Sequence, residues 1–137
     1  MSGDNPRALG RASLFAWQVS AEQEEPWRRF LQELSGPRLE EWTKLRRRVG
    51  ILAESVWFVP MPLGGGAVIV LLEAEDPERA LRELVAELAA SVTPLDSWFR
   101  REMHELFGCD FARLPRPGRG ELLFAWQEMS GEGEEAR

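Results

Sequence analysis

The chain has no tyrosine, one lysine (Lys44), one histidine (His104) and one cysteine (Cys109). A lone cysteine excludes an internal disulfide and fits a reducing compartment. One cysteine with one histidine also excludes the Cys/His sets that hold structural zinc, so no metal is expected. The longest apolar run, residues 67–72, is too short to cross a bilayer. Residues 1–13 lack the apolar core of a signal peptide, and the expected location is cytoplasmic, with no membrane contact. The triple glycine Gly64-Gly65-Gly66 lacks the lysine and following helix of a phosphate loop and reads as a hairpin turn.

What is present fits one α+β domain. At 137 residues the chain is long enough to bury a sizeable core without staples. Its net charge of −6 disfavours phosphate backbones, so no nucleic-acid partner is expected. The one basic cluster, Lys44 with Arg46, Arg47 and Arg48, lies at the end of a predicted helix, where cations complement the dipole. A flexible N-terminus over residues 1–12, a single domain over 13–129 and a disordered acidic tail over 130–137 are expected.

Periodicity predicts strands over residues 14–20, 51–59, 67–73 and 121–129. Trp27, Phe30, Leu31 and Leu34 follow helical spacing up to Gly36-Pro37, and Leu39, Trp42, Leu45 and Val49 continue it to Gly50. Asp76 with Pro77 starts a further helix, and Thr93 with Asp96 starts the last as a shortened capping box. The order β-α-β-β-α-α-β predicts a ferredoxin-like split β-α-β fold with a four-stranded antiparallel sheet and an extra helix. Phe15-Ala16-Trp17-Gln18 recurs as Phe124-Ala125-Trp126-Gln127, a pattern that cross-strand pairing of the first and last strands would explain.

A sheet with one wet face alternates apolar and polar residues. Residues 67–72 do not: Val68, Val70 and Leu72 point one way, Ala67, Ile69 and Leu71 the other. Each exposed Val or Leu forgoes about 1.5–3 kcal/mol of burial, so a second copy covering the open face is expected. The expected partner is thus a homodimer mate; the rival cover is the chain's own extra helix or Pro-rich loop.

That element order and doubly apolar sheet resemble the dimeric α+β barrel superfamily, which includes antibiotic-biosynthesis-monooxygenase-type and stress-responsive barrel proteins. Asp96-Ser97-Trp98-Phe99, followed by a glycine-ended turn, is similar to an uncharacterised bacterial branch of that group. The resemblance implies a pocket between helices and sheet or inside the barrel, and in some members an oxidation without cofactor. Residues 99–108, ending Leu106-Phe107-Gly108, are also similar to a helix of the C subunit of respiratory NADH dehydrogenase, which implies an interaction subunit. The Cys109-Asp110-Phe111 that follows departs from that family's Gly-His-Pro stretch.

The candidate ligand is a small, largely apolar or aromatic molecule, and no cofactor is expected. Trp17, Trp57 and Trp126 lie on predicted strands and read either as packing or as an aromatic cavity wall. Trp98 sits on a helical core stripe and joins them as a ligand-binding candidate. Glu54 is either a buried acid or an edge-protecting charge. Glu102 falls inside an apolar stripe and reads as a pocket acid or a structural ion pair with an arginine. His104, on the polar side of the same helix, is a solvated histidine or a general base. Glu102 and His104 are the catalytic candidates if the chain is an enzyme. Trp27 and Trp42 read as packing, and Cys109 as inert.

Overall fold

Ser20 opens the first helix with a full capping box: Gln23 N–H donates to Ser20 Oγ (3.2 Å), and Ser20 N–H donates to Gln23 Oε1 (2.9 Å). That helix belongs to a computed structural model describing residues 11–111 and 120–128. The described elements run β1 (Ala12–Val19), α1 (Ala21–Ser35), α2 (Leu39–Val49), β2 (Ile51–Pro60), β3 (Gly66–Ala74), α3 (Pro77–Ala90) and α4 (Pro94–Phe107). Gly36 separates α1 from α2, while Gly50 and Gly108 end α2 and α4 in the left-handed region. Asp76 caps α3 with Pro77 behind it, as expected. The last turn of α3 has no basic residue of its own; Arg100 on α4 donates to the carbonyls of Leu88 and Ser91.

The strands form a three-stranded antiparallel sheet ordered β1-β3-β2. Val68, Val70, Leu72 and Ala74 of β3 are buried against the helices, joined by Ser13 and Val19 of β1. Trp27, Phe30 and Leu34 of α1, Trp42 and Leu45 of α2, and Leu95, Trp98 and Met103 of α4 complete the core from the other side. The turn from β2 to β3 needs glycine at one point above all. Gly65 has φ +65°, and a Cβ there would overlap the carbonyl oxygen of Val19.

The other sheet face carries Leu14, Ala16, Ala67, Ile69, Leu71, Trp57 and Val59, paired in register as Leu14–Leu71, Ala16–Ile69 and Trp57–Ile69. Leu14, Trp57 and Val59 are exposed. This face is largely apolar, as the unbroken hydrophobic run predicts, with Gln18, Ser55 and Glu73 also on it, and no described element packs over it.

The sequence expectation of four strands is corrected to three. Residues 121–128 have no strand pairing and every one is exposed. Gly120 N–H donates to the Leu14 carbonyl at the outer edge of β1, and no ladder follows. Phe124-Ala125-Trp126-Gln127 therefore does not pair with its echo in β1, whose Phe15 to Gln18 instead faces Val70 to Ala67. Met129, residues 112–119 of the Pro/Gly/Arg loop, the tail 130–137 and residues 1–10 lie outside the described residues. Ala12 pairs with Glu73 and Ala74 N–H donates to the Arg11 carbonyl, so β1 begins at Ala12. Only half of the expected box at Thr93 forms. Asp96 N–H donates to Thr93 Oγ1, but Thr93 N–H donates to Ser91 Oγ, and both Asp96 carboxylate oxygens are buried without a partner.

Candidate functional site

Between the helices and the inner sheet face lies a cavity of about 920 Å³. Its walls follow from the two periodicities: odd residues of β1 (Phe15, Trp17) and even residues of β2 and β3 (Glu54, Val56, Val70, Leu72) face one stripe from each helix. The helical side is aromatic along its length. Trp17 meets Trp27 edge-on at 5.5 Å, Trp27 stacks on Phe30 at 5.4 Å, Phe30 meets Phe99 at 5.2 Å, and Phe99 stacks on Trp42 at 5.2 Å. Rings in these offset and edge-on arrangements hold each other in place and present flat, apolar surface to the void.

Polar groups sit towards two regions of this wall. In the first, Gln23 Nε2 donates to the Leu106 carbonyl (2.8 Å), tying the start of α1 to the end of α4 beside Trp17, Trp27 and Phe107. The indole N–H groups of Trp17 and Trp27 are buried there without a hydrogen-bond partner. Neighbouring ring faces, at 65–80° to them, are the weak acceptors in reach. In the second, the Glu54 carboxylate is held by α2: Trp42 Nε1–H donates to Oε1 at 3.0 Å and Arg46 Nη1 at 3.1 Å. Arg46 also lies over the Trp42 ring, 5.7 Å from its centroid. Glu54 pairs in register with Leu72, and Trp17 with Val68. Four residues along the sheet and two strands across put the two regions roughly 16 Å apart.

Of the candidate ligand residues, Trp17 and Glu54 line this cavity. Glu54 does lie on an edge strand, β2, but its side chain turns inward, 15% exposed, instead of guarding the edge. Trp57 is on the opposite, open sheet face, 49% exposed. Trp98 is buried beneath the wall, stacked on Phe30 at 4.9 Å with the Arg38 guanidinium 4.4 Å above it. Trp126 is 75% exposed in residues 120–128. Glu102 is half-buried, makes no hydrogen bond or ion pair with a described residue, and does not line the cavity. His104 is exposed on the outer side of α4. The structure thus brings together Trp17 and Glu54 with residues read from sequence as packing or helix-end charge: Trp27, Trp42 and Arg46.

A signal for the second region was present in the chain. Trp42 and Arg46 are four apart on one helix and so share a face. What periodicity lacks is the identity of the strand residue opposite them. Two other basic residues of that cluster are engaged elsewhere: Lys44 with Glu40 and Arg48 with Glu87. Cys109 also lines the cavity; burial pushes its thiol up from the ordinary value, and the neighbouring Asp110 adds to this. Among the described residues no group of three or more His, Cys, Asp or Glu is placed to hold a metal, and no helix is long and apolar enough to cross a membrane.

The fold and cavity define an α+β protein: an antiparallel three-stranded sheet with helices packed on one face and a large aromatic-walled space between the layers. The chain matches no protein-family model, no curated protein and no solved structure.

Proposed function

We propose that this protein binds a small, largely apolar, aromatic molecule between its helices and sheet, and does so as a homodimer of ferredoxin-like, barrel-forming subunits. The observation that carries the binding reading is the cavity itself. Its volume of about 920 Å³ lies within the range of small-molecule sites, roughly 300–1,000 Å³, and its lining is apolar with few polar groups. The aromatic wall leaves ring surface uncovered that an apolar occupant would bury. Titration with quinones, polyketide-like aromatics, fatty acids and haem, followed by thermal shift and tryptophan fluorescence, tests it. Absence of any shift across those classes overturns it.

Binding is favoured over the oxygenase reading because Glu54 is the single carboxylate among the lining residues, and it is already engaged by Trp42 and Arg46. Catalysis without cofactor needs an acid or base within hydrogen-bond reach of the reacting atom. Glu102 and His104 are outside the cavity.

Two observations support the homodimer. The open sheet face is apolar, and Leu122, Leu123, Phe124 and Trp126 are exposed in the same chain. Phe124 and Trp126, 82% and 75% exposed, offer roughly 300 Å² between them. The strand order β1-β3-β2, with helix pairs following β1 and β3, is compatible with the split β-α-β plan. The exposed apolar side chains of residues 120–128 also favour an interaction subunit of a larger complex. Light scattering separates the two: a stable dimer of this chain alone supports the first reading, and a monomer at micromolar concentration removes it.

A further inference from the structure

We infer that the ligand of this cavity is an aromatic molecule bearing a hydroxyl group, which donates its hydrogen bond to Oε2 of Glu54. The inference rests on the proposed binding reading and specifies what that cavity selects.

A carboxylate only accepts hydrogen bonds, and its two oxygens offer about four sites. At Glu54 both donors converge on one oxygen: Trp42 Nε1–H and the Arg46 guanidinium both meet Oε1. Oε2 takes no hydrogen bond from a described residue, yet it is not among the sealed, unpartnered side-chain atoms. It is therefore not sealed from solvent, on a residue that lines the cavity. The surrounding wall is Trp42, Phe99, Val56, Val70 and Leu72, none with a side-chain donor free for it, and beside them Arg46, whose guanidinium meets the carboxylate through Oε1 alone. An acceptor placed in such a setting is matched by a donor on the occupant.

The charge balance decides which donor. Arg46 already neutralises Glu54, so an ammonium gains little attraction there while its desolvation costs several kcal/mol. A ligand carboxylate would meet Glu54 as a like charge and find Arg46 already engaged. A neutral hydroxyl avoids both costs and forms a charge-assisted bond, worth about twice a neutral one. Trp42 acts as a positioning residue: its ring, stacked on Phe99 at 9°, is held through Nε1 by the same carboxylate that would read the hydroxyl. Ring face and acceptor are thus set relative to one another, which suits a hydroxyl in the plane of an aromatic ring.

The test is isothermal titration at neutral pH with three probes of matched shape: 4-phenylphenol, 4-methylbiphenyl and biphenyl-4-carboxylate. The unaltered protein is expected to bind the phenol about tenfold or more tighter than the methyl analogue, as a hydrogen bond to a charged group implies, and the carboxylate weakest. In Glu54→Gln the amide oxygen keeps its two donors while a neutral NH2 replaces Oε2, so the charge-assisted bond is lost and the preference for the phenol should fall several-fold. Trp42→Phe keeps the stacked ring and should lose part of the preference. Equal binding of both neutral probes overturns the inference, as does a preference that survives Glu54→Gln or a carboxylate that binds tightest; the cavity reading stands in each case. If none of the three probes binds, this inference falls, and the wider titration proposed for the cavity decides the binding reading. The comparison in the unaltered protein decides the matter even if a variant fails to fold.

Discussion

If two copies meet through their open sheet faces, Trp57 is the residue whose removal should separate them. Its side chain faces away from the helices, lies beside Ile69 across β2 and β3, and is 49% exposed in the single chain. An indole buries up to about 250 Å², so roughly 120 Å² of Trp57 is available to a partner. At about 25 cal/mol per Å², that is ~3 kcal/mol per copy and ~6 kcal/mol per symmetric dimer. Area overstates affinity in protein association. Halving the figure still leaves about 3 kcal/mol, or a dissociation constant weakened between ~10² and ~10⁴-fold by Trp57→Ser. The monomer should keep its fold, since the helix-facing layer is untouched. Sedimentation velocity over a dilution series, with circular dichroism as the folding control, measures both. A variant that dimerises as tightly as the parent would show that the open face is not the contact, and a parent that never dimerises would remove the reasoning altogether.

Other expectations follow from single sites. Asp96 is 1% exposed with both carboxylate oxygens unpartnered. Its place in the first turn of α4 is worth only about 0.3–1 kcal/mol to a carboxylate. Asp96→Asn should raise stability by roughly 1–2 kcal/mol in urea denaturation, and a loss would reveal a partner for the charge. Gly65→Ala should cost well over 2 kcal/mol, because positive φ and the overlap with Val19 add. Gly64→Ala, at φ +101° with its nearest neighbour the Ala21 Cβ at 3.4 Å, should cost less; thermal melts that rank them the other way contradict the turn geometry. The Cys109 thiol is raised, so at any pH below that raised value its thiolate fraction is below that of a free cysteine. Iodoacetamide should modify it more slowly than the urea-unfolded chain at pH 8, and equal rates would count against its burial.

Local chemistry announced most of the elements. Asp76 and Thr93 mark helix starts and Gly50 and Gly108 mark helix ends because caps and left-handed glycines act within a few residues, whereas Ser20, read as the end of the first strand, caps α1 instead. The doubly apolar β3 was equally plain, since side chains alternate across any strand whatever it pairs with. The segment 121–128 shows where that logic ends. Its Leu, Phe and Trp residues have strand propensity, but a strand exists only if another backbone accepts its hydrogen bonds, and beyond Gly120 none does among the described residues.

The site divides along the same line. Trp17 and Glu54 were legible as candidates, yet Glu54 on an edge strand read more readily as an edge-protecting charge until α2 was placed over it. Composition, capping and periodicity determined which faces are apolar, and these depend only on neighbours along the chain. Tertiary structure alone decided that Trp42, Arg46 and Glu54 share one corner of a cavity and that Trp57 and Trp98 do not, because contacts between a helix and a strand depend on register and crossing geometry that no local pattern encodes.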